Sequence, residues 1–84
     1  MFIELNNKNL INIKDFDTIE ITSVILPKRY RLVLNKICTL KEVCPLVIAE
    51  SYNLVDIQFL LKNISDAISE GRNLFRMSDY WVCT

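Results

Sequence analysis

The chain has no histidine, a single glycine and only three cysteines in its 84 residues, and each scarcity removes a class of chemistry. Without histidine, a Ser–His or Cys–His pair cannot activate a nucleophile. Cys38, Cys44 and Cys83 lack the paired spacing of a zinc site, which normally takes four nitrogen or sulfur ligands. One glycine cannot build a glycine-rich phosphate loop. No metal, cofactor or catalytic residue is therefore expected. The longest apolar run, Cys44 to Ala49, is six residues and contains Pro45, whereas a membrane-spanning helix needs about twenty. The N-terminal Met1-Phe2-Ile3-Glu4-Leu5 has neither a basic start nor an apolar stretch. With an odd number of cysteines and no signal peptide, the expectation is a soluble cytoplasmic protein with reduced thiols and no membrane partner.

Charge of one sign is also lacking: ten basic residues balance ten acidic ones, which argues against a strongly basic nucleic-acid binder. The distribution is uneven, however. Lys28, Arg29, Arg31, Lys36 and Lys41 make the middle of the chain basic, and both flanks are mildly acidic. An apolar fraction of 51% suffices for a core, so one domain over residues 1–84 is expected. A domain this small has little stability to spare.

Residues 1–50 alternate with a period of two, as half-buried strands do. Ile3 and Leu5, then Leu10 to Lys14, flank the polar Asn6-Asn7-Lys8-Asn9 and read as a hairpin. Thr18 to Leu26 follows, rich in β-branched residues. Pro27-Lys28-Arg29 marks a turn before Tyr30 to Ile37, and Leu46 to Glu50 fits a last strand. Residues 38–44 suit either a longer loop or a hairpin tip. From Asn53 the period changes: Leu54, Ile57, Leu61, Ile64 and Ile68 step by three and four along one helical face, widened by Val55, Phe59 and Leu60. Asn53 is the expected N-cap and Gly71 the expected left-handed C-cap, which bounds the helix at 53–70. The predicted fold is α+β: a mostly antiparallel sheet of about five strands, one long C-terminal helix packed on it, and an aromatic tail over 72–84.

Three polar or aromatic groupings stand out. Asp15 and Asp17 with Glu20 could hold Mg²⁺ or exchange protons, but aspartates flanking a turn ordinarily bond their own backbone. Lys28, Arg29 and Arg31 form a basic tip suited to phosphates or an acidic protein surface, or simply guarding an exposed strand end. Phe75, Arg76, Met77, Tyr80 and Trp81 are of the types enriched at binding hot spots. The other reading of this tail is a sixth strand, or a cover for the bare face of the sheet.

The segments Leu5-Asn6-Asn7-Lys8, Ile19-Glu20-Ile21-Thr22, Leu34-Asn35-Lys36 and Glu50-Ser51 give the stretch from Leu5 to Ile68 its resemblance to the FlbD family of small flagellar regulators. The hairpin glycines of that family are absent here and the aromatic tail is extra, so the resemblance implies architecture only. In overall character the chain also looks like accessory proteins of phages and mobile elements, anti-CRISPR inhibitors among them. That likeness implies a non-enzymatic viral inhibitor that occludes a host-defence nuclease complex. The alternatives are a regulatory nucleic-acid-binding module using the basic tip, and a dimerisation domain.

Overall fold

The computed structural model describes the backbone of residues 1–39 and 42–80, with side chains for 1–36 and 45–80. In chain order it contains β1 (Phe2–Glu4), β2 (Leu10–Asn12), β3 (Thr18–Val24), β4 (Arg29–Thr39), β5 (Glu42–Ser51), α1 (Leu54–Ser69) and β6 (Leu74–Arg76). The α+β class holds, but the strands form two three-stranded sheets instead of one sheet of five. The first has the order β2–β1–β6, and the second is the antiparallel meander β3–β4–β5.

The division arises just after β2. Ile13–Asp15 closes into a 3₁₀ turn, with Ile13 N–H on the Met1 carbonyl (2.9 Å) and Phe16 N–H on the Ile13 carbonyl (3.1 Å). Asp17 N–H then bonds the Asn35 carbonyl (2.8 Å), which commits the following strand to β4. The edge of β1 left open is taken by β6, running parallel, with Ile3 opposite Phe75. Part of the expected aromatic tail is thus a sixth strand, the alternative that sequence left open. Its side chains explain why. Phe75 and Met77 are fully buried beside Ile3, so they belong to the core and present nothing to a partner. Trp81 lies outside the described residues.

In the larger sheet, β4 is central and buried on both faces. Leu32 stands opposite Ile21 and Ala49, and all three pack into the cluster that α1 joins; Leu34, opposite Ile19 and Leu46, follows on the same face of the sheet. Val33 and Asn35 occupy the other face, where the Asn35 amide donates to Thr18 Oγ1 (3.2 Å) and to a carboxylate oxygen of Glu20. A bulge at Ile48 lets β5 pass from the Ala49–Leu32 pair to the Val47–Val33 pair. Of residues 38–44, ambiguous by sequence, 38–39 and 42–44 are strand, with Thr39 paired to Glu42, while 40 and 41 lie outside the described residues.

Helix α1 buries Ile57, Leu60, Ile64 and Ala67. The expected stripe was centred wider: Leu54 and Leu61 are half-buried, while Val55, Phe59 and Ile68 are exposed. Asn53 occupies the N-cap position with extended backbone, yet its side chain makes no capping bond. Gly71 ends the helix as expected, at φ +73°. Its N–H reaches the Ile68 carbonyl and that of Arg72 the Ala67 carbonyl, both at 3.1 Å, the paired bonds of a Schellman motif. Among the described residues no helix is long and apolar enough to cross a membrane.

Candidate partner-binding groove

The last residues of β5, the start of α1 and the β1–β2 turn border an open groove of about 920 Å³. Its position follows from a local knot of hydrogen bonds. Ser51, the end of β5, accepts the Asn53 N–H and donates to Asp56 Oδ2, both at 3.1 Å. The strand therefore turns sharply into the helix, and the first two turns of α1 rise beside β5. On the far side the β1–β2 turn is tightened by Leu5 N–H to the Asn9 carbonyl (2.8 Å), with Lys8 at φ 72°. Leu5, Asn6 and Asn7 thus form the opposite wall.

On the helix side the groove is lined by Tyr52, Asp56 and Phe59. Tyr52 is 69% and Phe59 55% exposed, and Val55, on the same helix but outside the lining, is 72% exposed. Val55 and Phe59 lie on a helix line displaced from the buried 57, 60, 64 and 67, and Tyr52 precedes the helix, so core packing among the described residues does not consume them. Val47 adds an exposed side chain from β5. Sequence reading assigned Val55 and Phe59 to the core stripe and left Tyr52 out. The four-residue step from Val55 to Phe59, off the 57–60–64–67 stripe, was the signal that could have separated these two from the core.

Two of the residues singled out by sequence converge on the groove, Arg29 and Tyr80. Tyr80 is clamped: its ring stacks on Phe75 with centroids 4.7 Å apart, and its hydroxyl accepts from Arg72 Nη1 at 3.0 Å. That bond, with Glu70 at 2.7 Å, raises the affinity of the Arg72 guanidinium for its proton. Arg29 Nη1 and Arg31 Nε each donate to one oxygen of Glu50, at 2.6 Å. The Arg31 hydrogen bond, with help from the charge of Arg29, holds the Glu50 carboxyl below the usual glutamate range. Arg29 Nε is buried and finds no acceptor among the described residues.

The remaining sequence-selected residues are scattered. Lys28 is exposed, with its ammonium 5.8 Å from the centre of the Tyr30 ring. Arg76 is exposed at the end of β6, away from the groove lining. Asp15 lies in the 3₁₀ turn and Glu20 is engaged by Asn35 on the outer sheet face, so the acidic residues form no shared cluster with Asp17. The side chains of Cys38 and Cys44, and all of Cys83, lie outside the described residues.

Chemically the groove offers apolar side chains with one guanidinium, two carboxylates (Glu50 and Asp56) and the amides of Asn6 and Asn7, a composition suited to holding a polypeptide surface. Comparison of the chain with family models, with curated proteins and with solved structures finds no match.

Proposed function

We propose that this protein is a non-enzymatic protein-binding module whose docking surface is the groove between β5 and α1. The observation that carries this reading is the exposed pair Tyr52 and Phe59 lining it, with Val55 beside them on the helix, three large apolar side chains that the described residues leave uncovered. Such side chains lose water-exposed area only when something else covers them, at a gain of about 25 cal/mol per Å². The partner that fits has an apolar ridge to enter the groove and an acidic or carbonyl group to meet Arg29. Arg29 and Arg31 already share Glu50, which favours a protein surface over a phosphate backbone. The narrower form of the proposal is an inhibitor of the anti-CRISPR kind, acting by covering a working surface of a host-defence nuclease complex. Its support is the small, neutral, histidine-free character of the chain.

The test uses wild-type protein and a Val55→Glu/Phe59→Glu variant as parallel baits, each with and without nuclease treatment. A partner held by wild type after nuclease treatment, and lost by a variant with unchanged circular dichroism, is the expected result. Equal capture by both baits would remove the groove from the argument. Capture that disappears with nuclease would move the reading to nucleic acid and to Lys28. Target cleavage by an RNA-guided nuclease complex, assayed with wild type and variant, tests the narrower form. Cleavage unaffected by saturating protein would sink it for that complex.

A further inference from the structure

The opposite edge of the larger sheet carries a second surface, and its features fit one another. Among the described residues strand β3 hydrogen-bonds only to β4, which leaves its outer edge unpaired by them. Folded proteins normally blunt such an edge with proline, lysine or a bulge. At the other edge, β5 has both Pro45 and the bulge at Ile48. Strand β3 has none of these. It pairs with β4 through seven consecutive residues without interruption, and five of the seven (Thr18, Ile19, Ile21, Thr22 and Val24) are β-branched. Its one charged residue, Glu20, is occupied by Asn35 on the outer sheet face.

The two ends of this edge are complementary. Beyond Val24 the turn projects Ile25 and Leu26, which are 82% and 88% exposed, the most exposed of the large apolar side chains described. Before Thr18, a hollow of about 170 Å³ is lined by Ile13, Phe16, Ile19 and Ile68. Lys28 stands at the projecting end, and Lys14, Asp15 and Asp17, one net negative charge, at the hollow end. Leu26 and Phe16 are equally far along the chain from Ile21, five residues on either side.

We propose that the protein forms a two-fold symmetric dimer by antiparallel pairing of β3 with β3 of a second copy, centred on Ile21. In that register Thr18 faces Val24, Ile19 faces Ser23 and Glu20 faces Thr22, so no like charges stand opposite. Leu26 of each copy comes to the hollow beside Phe16 of the other, and each Lys28 comes to the end that carries Lys14 as well as Asp15 and Asp17. A strand advances about 3.4 Å per residue, so Thr18 and Val24 end β3 at equal distances from the axis, and the turn carrying Leu26 and the hollow beside Phe16 fall at the same end of the pair. The result is one six-stranded antiparallel sheet with an isologous interface, and both grooves remain open on its outer edges.

Sedimentation velocity from micromolar to millimolar concentration tests this directly. The expected result is a reversible species of twice the 9.8 kDa chain mass. Leu26→Glu, at a fully solvated site, should weaken dimerisation by roughly tenfold or more while circular dichroism stays unchanged. In a mixed-label NMR sample, an isotope-filtered contact between Leu26 methyls and the Phe16 ring fixes the register. A monomer at every concentration would overturn the proposal. So would a dimer that ignores Leu26→Glu, or one broken by Val55→Glu/Phe59→Glu instead.

Discussion

Glu50 receives a guanidinium on each carboxylate oxygen, and this couples a single side chain to the pH dependence of the fold. The Arg31 hydrogen bond is the leading cause of its lowered pKa, followed among the favourable causes by the charge of Arg29. A carboxyl that ionises more readily in the folded chain than in the unfolded one binds fewer protons when folded. Its stabilising contribution is therefore complete above the ordinary glutamate pKa, and is lost as pH falls through the depressed folded value. Urea midpoints should drop as pH is lowered below about 5, and Glu50→Gln should drop less steeply over that range. Parallel curves for the two proteins would show that the pair contributes nothing to folding, as solvated ion pairs often do. At this scale the sequence was half legible. A basic tip at Lys28, Arg29 and Arg31 could be read from adjacency, but the acid that occupies two of its members is about twenty residues away, on the neighbouring strand. Only the β4–β5 register brings Arg31 opposite Glu50.

The helix and its ends were legible because their signals are local. Gly71 shows this most clearly: at φ +73°, a Cβ would meet nothing within 4 Å, so substitution there costs backbone conformation and no clash. Gly71→Ala should destabilise by about 1–2 kcal/mol, seen as a lower thermal midpoint, and Gly71→Asn should recover part of it. Equal midpoints for all three would mean that the helix end relaxes out of the Schellman bonds. The partition into two sheets was not legible, for the opposite reason. It depends on β6 joining β1 in parallel across seventy-two residues of chain, Phe2 to Leu74, and three-residue strands carry too little pattern to announce a partner. The same join turned half of an apparent binding tail into core. Phe75→Ala should cost about 3–5 kcal/mol and leave much of the population unfolded, as burial demands. Tyr80→Ala, at a half-buried site, should cost clearly less by the same chemical denaturation. The reverse order would restore Phe75 to the surface.

The molecule as a whole is held by one cluster to which every layer contributes: Ile3, Phe75 and Met77 from the region of the small sheet, Leu32 and Ala49 from the meander, and Ile57, Leu60, Ile64 and Ala67 from α1. With so few buried side chains, no layer retains a core when another is removed. Domains of this size are stabilised by only a few kcal/mol in any case. Unfolding is therefore expected to be a single transition. Ile3→Ala, which removes a fully buried side chain from a three-residue strand, should cost about 2–5 kcal/mol. It should lower the helix signal at α1, although Ile3 and α1 are more than fifty residues apart. The check is thermal unfolding of wild type and variant followed in parallel by far-ultraviolet circular dichroism for α1 and by the ring proton NMR signals of the stacked Phe75–Tyr80 pair. Coincident midpoints that shift together establish one cooperative unit. If the aromatic signal melts first and the helix keeps its wild-type midpoint, β1 and β6 are an appendage. The groove wall that they hold in place would then be free to open without unfolding the meander and α1.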